Sequence, residues 1–277
     1  LGGAGNIVNN LHTLGCTDLL AFGVIGNDLW GKKLIQKLNE INVNSEGMII
    51  QEQCWATPSY VKPYKDKNEL NRIDFGNFNK LDTETLNCLL SLLEKNLQNQ
   101  DIVIISQQIA GSLFVDEFIE KLLILINKFC DTLFIVDSRH NSGDFPSAIL
   151  KLNDFTAESM VDNTTPKGTG VTRENVIKTA KTLYKKLKNT IFITRGINGC
   201  ILVDEGVIKE IPSIKITGKI DTVGAGDSML AGICIGLVSG QDAYNSACLG
   251  ILAAAVTIQK LYQTGTVSPE ELLMMAS

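Results

Sequence analysis

The stretch KIDTVGAGDSMLAGICIGL, residues 219–237, places three small residues between two aspartates and then continues as an apolar segment. Gly224 and Gly226 allow backbone conformations that other residues avoid, and they let a ligand approach the main chain. The amides of residues 223–227 would point outward at the start of a helix, where the helix dipole also favours an anion. Asp227 is then either part of this ligand site or an acid that only stabilises the helix N-terminus.

A second glycine-rich loop opens the chain, in LGGAGNIVNNLHTLG, residues 1–15. It leads into a helical pattern that Gly15 would end as a C-cap. One such loop is also typical of a tight strand-to-helix turn without a ligand. Two loops at opposite ends of one chain instead suggest two ligand groups that meet at the carboxyl edge of a sheet.

The sequence between the two glycine-rich loops indicates which secondary-structure elements hold these loops in place. Apolar runs typical of buried strands alternate with amphipathic helical patterns. The strands are predicted at 19–25, 101–106, 132–137 and 190–196, and the helices at 27–41, 83–97, 115–129 and 172–187, with Thr172 as an N-cap. A hairpin at 200–211 and three C-terminal helices follow. This alternation predicts an α/β fold with a mostly parallel sheet covered on both faces.

Residues 47–78 interrupt the alternation. The segment is rich in Thr, Tyr, Val and Ile and contains the turn-like YKDKNE. We expect a small antiparallel β lid inserted into an α/β core formed by 1–46 and 79–277. The alternative is an edge hairpin without a function.

Composition narrows the classes of function. The formal net charge of −5 and a pI near 5.2 argue against nucleic acid as a partner, which needs a basic face. No apolar run is long enough to span a bilayer, so no membrane partner is expected. Seven cysteines without a CxxC pair predict buried, reduced thiols in a cytoplasmic protein rather than disulfides or a zinc site. Because the sequence opens on Leu1 and two glycines, we expect it to be a piece of a longer polypeptide.

These motifs resemble those of the ribokinase-like carbohydrate kinases, the PfkB family. DTVGAGD at 221–227 is similar to the family's most specific signature, and GGAGN at 2–6 to its N-terminal one. GNDLWGKKL at 26–34 and ITRGINGCIL at 193–202 resemble two further family segments in the same order. The resemblance implies a ribokinase-like three-layer sandwich with a small β lid, an ATP-dependent kinase of a sugar or sugar phosphate, and a homodimer through the lid.

The resemblance also implies a mechanism. Asp227 would be the base that takes the proton from the attacking sugar hydroxyl. The amides of Gly224, Ala225 and Gly226, together with that of Asp227, would form an anion hole for the developing charge. Because phosphoryl transfer depends mainly on positioning and on charge stabilisation, a cradle of amides with one carboxylate is sufficient.

Ligand contacts follow from the same resemblance. Thr194 and Gly196 match positions that touch ATP. Asp221 and the carbonyl of Val223 match positions that hold a monovalent cation, K⁺. The usual Asn-x-x-Glu motif that organises Mg²⁺ is altered in LNDFTAESMVDN, residues 152–163.

In that altered stretch Glu158 stands at the expected Asn position and Val161 at the Glu position, while a shift of one residue would recruit Asp162. The first strand of the family, with its sugar-binding aspartate, does not occur in this sequence. These departures concern the handling of Mg²⁺ and the identity of the substrate more than the fold.

The sugar end would include Gly2, Gly3 and Asn6. Within the family, TPSYVKPYKDKNELNRIDFGN most resembles the lid of heptose-7-phosphate kinases. This implies a heptose phosphate as the acceptor, with Arg72 and Asp74 as substrate contacts. A solvated lid arginine is the alternative for Arg72.

Two other functions compete with the kinase. A degenerate family member would bind nucleotide or sugar without efficient catalysis, which the altered Mg²⁺ motif favours and the intact Asp227 disfavours. A methyltransferase would also use an Asp-x-x-Gly-x-Gly loop. Such a loop normally follows the first strand of its sheet, whereas here about fifty residues follow it.

Overall fold

The computed structural model describes residues 1–66, 68–109, 113–162 and 171–277. Lys67, in the turn expected within 47–78, lies outside these residues. The chain forms two compact units. The first unit comprises Leu1–Cys16, Gln100–Gln108 and Ile126–Ser277, and the second comprises Thr17–Asn99 and Ile109–Leu125.

The elements alternate along the chain as the sequence predicts. The helices are α1 (Ala4–Thr13), α2 (Leu29–Glu40), α3 (Thr83–Leu97), α4 (Asp116–Lys128), α5 (Asp154–Ser159), α6 (Arg173–Leu187), α7 (Ala225–Val238), α8 (Ala243–Thr257) and α9 (Pro269–Ala276). The strands are β1 (Leu20–Gly26), β2 (Asn44–Gln51), β3 (Ser59–Val61), β4 (Tyr64–Lys65), β5 (Asn68–Glu69), β6 (Ile73–Phe75), β7 (Ile102–Gln107), β8 (Leu133–Ser138), β9 (Ile149–Asn153), β10 (Ile191–Thr194), β11 (Cys200–Asp204) and β12 (Val207–Ile211).

A six-stranded sheet forms the centre of the first unit, in the order β12-β11-β10-β9-β8-β7. Strands β7 to β10 are parallel, while β11 and β12 pair antiparallel. Gln107 stands opposite Ser138, and Asn153 stands opposite Thr194, at the ends of their strands. The carboxyl ends of four parallel strands therefore meet at one edge, which is where ligands bind in such sheets.

The strands of this sheet are buried because helices flank it. Ile135, Val136 and Leu150 have no exposed surface. Helices α5 and α6 pack against β9 to β11, and α8 packs against β11 and β12. This confirms the predicted α/β class with a mostly parallel sheet, whose strands are continuously apolar because both faces are covered.

Helices α7 and α8 are apolar on all sides and pack closely against each other. A Cβ atom added at Gly232 of α7 would lie 2.8 Å from the Cα atom of Gly250 in α8. One at Gly236 would lie 2.6 Å from the Oγ atom of Ser246. The two glycines of α7 therefore allow backbone contact that fixes this helix in the core.

In the second unit β1 and β2 form a parallel pair, and α2 and α3 pack on them. Residues 47–51 are the end of β2. The antiparallel pairs lie within residues 59–75, where β3 pairs with β6 and β4 with β5. Tyr60 stands opposite Asp74 in the first of these pairs.

The GNDLWGKKL segment holds the second unit together locally. Asp28 caps α2 by accepting a hydrogen bond from the amide of Gly31 at 2.7 Å, and its other carboxylate oxygen accepts one from the amide of Thr57 at 2.8 Å. A Cβ atom at Gly31 would lie 2.4 Å from the carbonyl oxygen of Gly26. The motif thus joins β1, α2 and the chain after β2.

The structure confirms one local expectation and contains two elements that the sequence pattern does not predict. The Thr172 cap is confirmed, because its side chain accepts from the amide of Asn175. Strand β9 and helix α5 were not predicted from the sequence. Lys151 interrupts the apolar pattern of β9, and α5 has only six residues.

All seven cysteines are free, but the expectation that they are buried is wrong for Cys54, Cys88 and Cys130, which are exposed. These thiols lie on surface segments, where a small side chain is tolerated without burial. Among the described residues, no helix combines the length and apolarity that crossing a membrane requires.

Candidate active site

The glycine-rich loop forms the start of α7 with open backbone donors. Gly224 is the N-cap with φ 83°, in the left-handed region, and no side chain of the described residues caps the helix there. A Cβ atom at this position would lie 2.9 Å from the Nδ2 atom of Asn6 and 3.1 Å from the Cγ2 atom of Thr264. Only glycine fits at this position. The amide of Ala225 donates to the carbonyl oxygen of Thr222 at 3.2 Å, which leaves the amides of Gly226 and Asp227 for an anion.

Asp227 is half-buried in the first turn of α7. Its Oδ2 atom accepts a hydrogen bond from the Nδ2 atom of Asn6 at 2.8 Å. Burial raises the pKa of the Asp227 carboxyl, an effect larger than the opposing ones of the Asn6 hydrogen bond and the positive charge of Lys151. The side chain is thus a fixed carboxylate with raised basicity, as a general base requires.

Asn6 is fully buried on α1 and brings the two glycine-rich loops together across 221 residues of sequence. Asn10, one turn later, donates from its Nδ2 atom to the carbonyl oxygen of Asn6 at 2.9 Å. Gly3 is the N-cap of α1 with φ 51°, also in the left-handed region. Gly2 precedes it, and a Cβ atom added there would meet nothing within 4 Å.

A buried ion pair lies beside the loop, and the sequence did not predict it. The Nζ atom of Lys151 on β9 is 2.9 Å from the Oδ2 atom of Asp137 on β8, and their side chains are only 7% and 13% exposed. The same Nζ atom is 3.2 Å from the point where a Cβ atom would stand at Gly226. A buried cation next to free amides strengthens an anion site.

A signal for this pair is present in the sequence. Lys151 is the one charged residue inside the apolar ILKLN strand, and Asp137 follows the apolar run LFIV. Lysine is almost never buried without a partner. A charge inside a buried strand therefore indicates a specific role when a carboxylate ends the neighbouring strand.

The two residues expected to touch ATP lie at the end of β10. Thr194 is its last residue, and Gly196, with φ 53°, begins a 3₁₀ turn that ends at Asn198. A Cβ atom at Gly196 would meet nothing within 4 Å, so space lies open beside the backbone.

The residues expected to hold a monovalent cation join two loops. Asp221 accepts from the amide of Val223 at 3.0 Å with one carboxylate oxygen, and from the amide of Tyr262 at 3.2 Å with the other. Its own amide donates to the carbonyl oxygen of Ile258 at 2.8 Å. Each carboxylate oxygen keeps a free lone pair, so a weakly bound K⁺ fits this donor set.

Glu158 and Asp162 have different environments in the stretch where the Mg²⁺ motif is expected. Glu158 is 7% exposed, and its Oε2 atom has no partner among the described residues. Val161 is 41% exposed, and Asp162 is exposed as well. No group of three His, Cys, Asp or Glu side chains suited to a metal is present in the described part of the chain. Mg²⁺ in proteins commonly takes several of its ligands from water and phosphate.

Arg72 and Asp74 lie in the second unit and pair with each other. Arg72 donates from Nε to one carboxylate oxygen of Asp74 at 2.6 Å and from Nη2 to the other at 2.8 Å. The guanidinium also stacks on the ring of Tyr60, 4.2 Å from its centroid. These two hydrogen bonds hold the exposed guanidinium group of Arg72 in a fixed orientation.

Comparison with known families and curated proteins gives a consistent result. Residues 1–270 match the pfkB family carbohydrate kinase. The chain is 26% identical over 272 residues to the bifunctional protein HldE of Sulfurimonas denitrificans and 28% identical over 263 residues to that of Campylobacter fetus. The alignments cover 98% and 94% of this chain and 55% of each relative. The chain thus spans about half the length of the curated relatives it matches.

Solved structures share the fold. The ribokinase of Thermotoga maritima has a TM-score of 0.75 at 21% identity, covering 98% of this chain and 85% of that one. Phosphofructokinase-2 of Escherichia coli, in complex with potassium, has a TM-score of 0.75 at 19% identity, covering 99% of this chain and 85% of that one. These similarities identify the fold as ribokinase-like.

Proposed function

Because the chain belongs to the pfkB family of carbohydrate kinases, we propose that it transfers the γ-phosphoryl group of ATP to a hydroxyl group of a sugar or sugar phosphate. The observation that carries this proposal is the hydrogen bond of 2.8 Å between Asn6 and Asp227 at the start of α7. It supports a base held in place beside free helix amides and a buried cation.

Asp227 takes the proton of the acceptor hydroxyl as the new O–P bond forms. Asn6 occupies its Oδ2 atom, which leaves Oδ1 for the hydroxyl. Burial raises the pKa of the Asp227 carboxyl, so this group binds the proton more firmly than an exposed aspartate would. General-base catalysis of this kind contributes about 10²- to 10⁴-fold in rate.

The phosphoryl group lies at the start of α7 during transfer. The amides of Gly224, Gly226 and Asp227 and the Lys151 ammonium stabilise the charge that its oxygens carry. The amide of Ala225, expected in the same anion hole, already donates to the carbonyl oxygen of Thr222. Asp137 directs the Nζ atom of Lys151, as their 2.9 Å separation supports. Donors that are already oriented need no reorganisation at the moment of reaction.

ATP lies against Thr194 and Gly196 at the end of β10, where the open space beside Gly196 supports the approach of phosphates to the backbone. Mg²⁺, when bound, neutralises charge on the phosphates. Glu158, with its unpartnered buried Oε2 atom, would hold it through water. Asp221 and the carbonyl of Val223 would hold K⁺. The potassium complex of phosphofructokinase-2, which shares the fold, supports this.

The acceptor lies against Gly2 and Gly3. Asn6, expected to touch it too, is fully buried and acts on the acceptor through its hydrogen bond to Asp227. We propose a heptose phosphate, supported by the likeness of residues 57–77 to the lid of heptose-7-phosphate kinases and by the match to HldE proteins. Residues 47–78 act as the lid, and Arg72 and Asp74 contact the substrate from it. An ATP-dependent enzyme with seven free cysteines belongs in the cytoplasm.

The lid also serves as a dimer interface in this proposal. Ile73 and Phe75, on the same face of β6, are 50% and 40% exposed. Large apolar side chains grouped on one short antiparallel pair are typical of an interaction surface. The tetrameric form of phosphofructokinase-2 from Escherichia coli shows that a protein of this fold assembles.

One observation favours a second function, a family member that binds its ligands without efficient catalysis. Val161 stands where the family has a metal-organising glutamate, and it cannot ligate Mg²⁺. Measuring ADP formation across a panel of sugars, sugar phosphates and heptose phosphates, with ATP and Mg²⁺, separates the two functions. Turnover with one member, abolished in Asp227→Asn, supports the kinase. Nucleotide binding without turnover across the panel supports the binder.

A further inference from the structure

Arg139 is fixed at the edge of the sheet where β7 and β8 end. Its amide donates to the carbonyl oxygen of Gln107 at 3.0 Å. Its side-chain Nε atom donates to the Oε1 atom of Gln108 at 2.9 Å, and the amide nitrogen of Gln108 approaches the carbonyl oxygen of Asp137 at 3.4 Å. The direction of this arginine is therefore set by an amide side chain.

Gln108 also touches the glycine loop of α1. Its Cγ atom lies 3.6 Å from the point where a Cβ atom would stand at Gly3. Gln108, which orients Arg139, therefore contacts the loop assigned to the acceptor sugar. The hydrogen bond from Arg139 to Gln108 thus holds the guanidinium group near that loop.

The charge of Arg139 is not neutralised by a carboxylate in the described part of the chain. Arg72 pairs with Asp74, and Arg173 pairs with Glu210. Arg139 instead bonds a neutral amide through Nε, which leaves its terminal nitrogens for another partner. Its positive charge is close enough to lower the pKa of Asp227. A guanidinium without a carboxylate partner among the described residues, in a protein of net charge −5, suits an anionic ligand.

We infer that Arg139, oriented by Gln108, binds an anionic substituent of the acceptor, a phosphate or a carboxylate, and selects acidic sugars over neutral ones. This inference rests on the proposed kinase function and names the residue that sets acceptor class. The phosphoryl group in transfer has its own partners in Lys151 and the α7 amides, so Arg139 is left for the acceptor.

The test measures binding without ATP, so that it is independent of turnover. Dissociation constants are determined by calorimetry for fructose and fructose 6-phosphate, ribose and ribose 5-phosphate, sedoheptulose 7-phosphate, and gluconate as the carboxylate. The wild type is compared with Arg139→Gln and Gln108→Ala. Arg173→Gln, which removes an arginine outside the site, is the matched control. Affinity for ATP is measured in parallel.

We expect the wild type to prefer an acidic sugar, and Arg139→Gln to weaken that sugar by about 10- to 100-fold, the change typical of losing a hydrogen bond to a charged group. Gln108→Ala should weaken it several-fold, and Arg173→Gln should not. Neutral sugars and ATP should bind as before.

Three results overturn the inference: no preference of the wild type for any acidic sugar, equal losses for neutral and acidic sugars in Arg139→Gln, or a loss confined to ATP. Selective binding of acidic sugars that Arg139→Gln abolishes upholds the assignment of Arg139, even if no ADP forms with any sugar. Absence of ADP counts against the kinase proposal instead.

Discussion

The Nζ atom of Lys151 lies 3.2 Å from the point where a Cβ atom would stand at Gly226. The glycine thus permits the contact between a buried ammonium group and the first turn of α7. Two features that are separate in sequence, the glycine-rich loop and a charged residue in a buried strand, form one anion site.

Gly226→Ala should separate activity from stability. The new methyl group pushes the Lys151 ammonium away from the phosphoryl position, so turnover should fall about 10-fold or more. Stability should hold or rise, because alanine is the better helix residue. Turnover and melting temperature are measured together. In the control, Gly143→Ala, a Cβ atom meets the Cε atom of Met160 at an ordinary 3.5 Å. Normal turnover of Gly226→Ala would argue against Lys151 at the reacting group.

Lys151→Met should lose both turnover and stability. Removing one preorganised charge donor costs about 10²- to 10³-fold in rate. Leaving Asp137 buried without its partner costs about 3–5 kcal/mol. The double variant Lys151→Met with Asp137→Asn should recover much of the stability but none of the turnover. Chemical denaturation and ADP release decide this, and recovery of turnover in the double variant would show that the pair is only structural.

Asp227→Asn should reduce turnover by about 10²- to 10⁴-fold while ATP affinity is retained. Asp242→Asn, the same change at the N-cap of α8, should leave turnover unchanged. Asparagine also caps helices well, so the fold should persist. An Asp227→Asn protein with near-normal turnover and lowered stability would instead mark Asp227 as a helix cap.

The raised pKa of Asp227 also predicts a dependence of stability on pH. Because the folded state binds this proton more tightly than the unfolded chain, the stabilisation is present below the ordinary aspartate pKa and is lost as pH rises through the folded pKa. At neutral pH the ionised group is a net cost. Asp227→Asn should therefore melt at or above the wild-type temperature at pH 7. A clearly lower melting temperature would contradict the raised pKa.

Asn6→Ala should shift the acid limb of the rate profile. The Asn6 hydrogen bond lowers the pKa of Asp227, so its loss raises that pKa further. The base must be ionised, and the acid limb of kcat should move to higher pH. Asn9→Ala, on the same helix, serves as the control. An unchanged limb with only reduced stability would mean that Asn6 does not tune the base.

The sequence pattern predicted the fold class and most elements because continuously apolar strands and amphipathic helices follow simple periodicities. It also predicted a ligand group at each of the two glycine-rich loops, and the hydrogen bond between Asn6 and Asp227 connects the two helices that follow these loops. The sequence analysis did not predict the ion pair of Lys151 and Asp137. A charged residue in an apolar run is typical of the end of a strand, and it indicates a buried ion pair only when its partner on the neighbouring strand is known. The pairing of Arg139 with Gln108 depends on the register of β7 and β8, which periodicity does not give.

The bond between Asn6 and Asp227 spans 221 residues, which has a consequence for synthesis on the ribosome. At about 5–20 residues per second, α1 emerges roughly 10–45 s before α7 exists to receive it. During that interval the side-chain amides of Asn6 and Asn10, which are fully buried in the folded protein, lack the residues that later bury them. The hydrogen bond between Asn6 and Asp227 can therefore form only after α7 has been synthesised, late in translation.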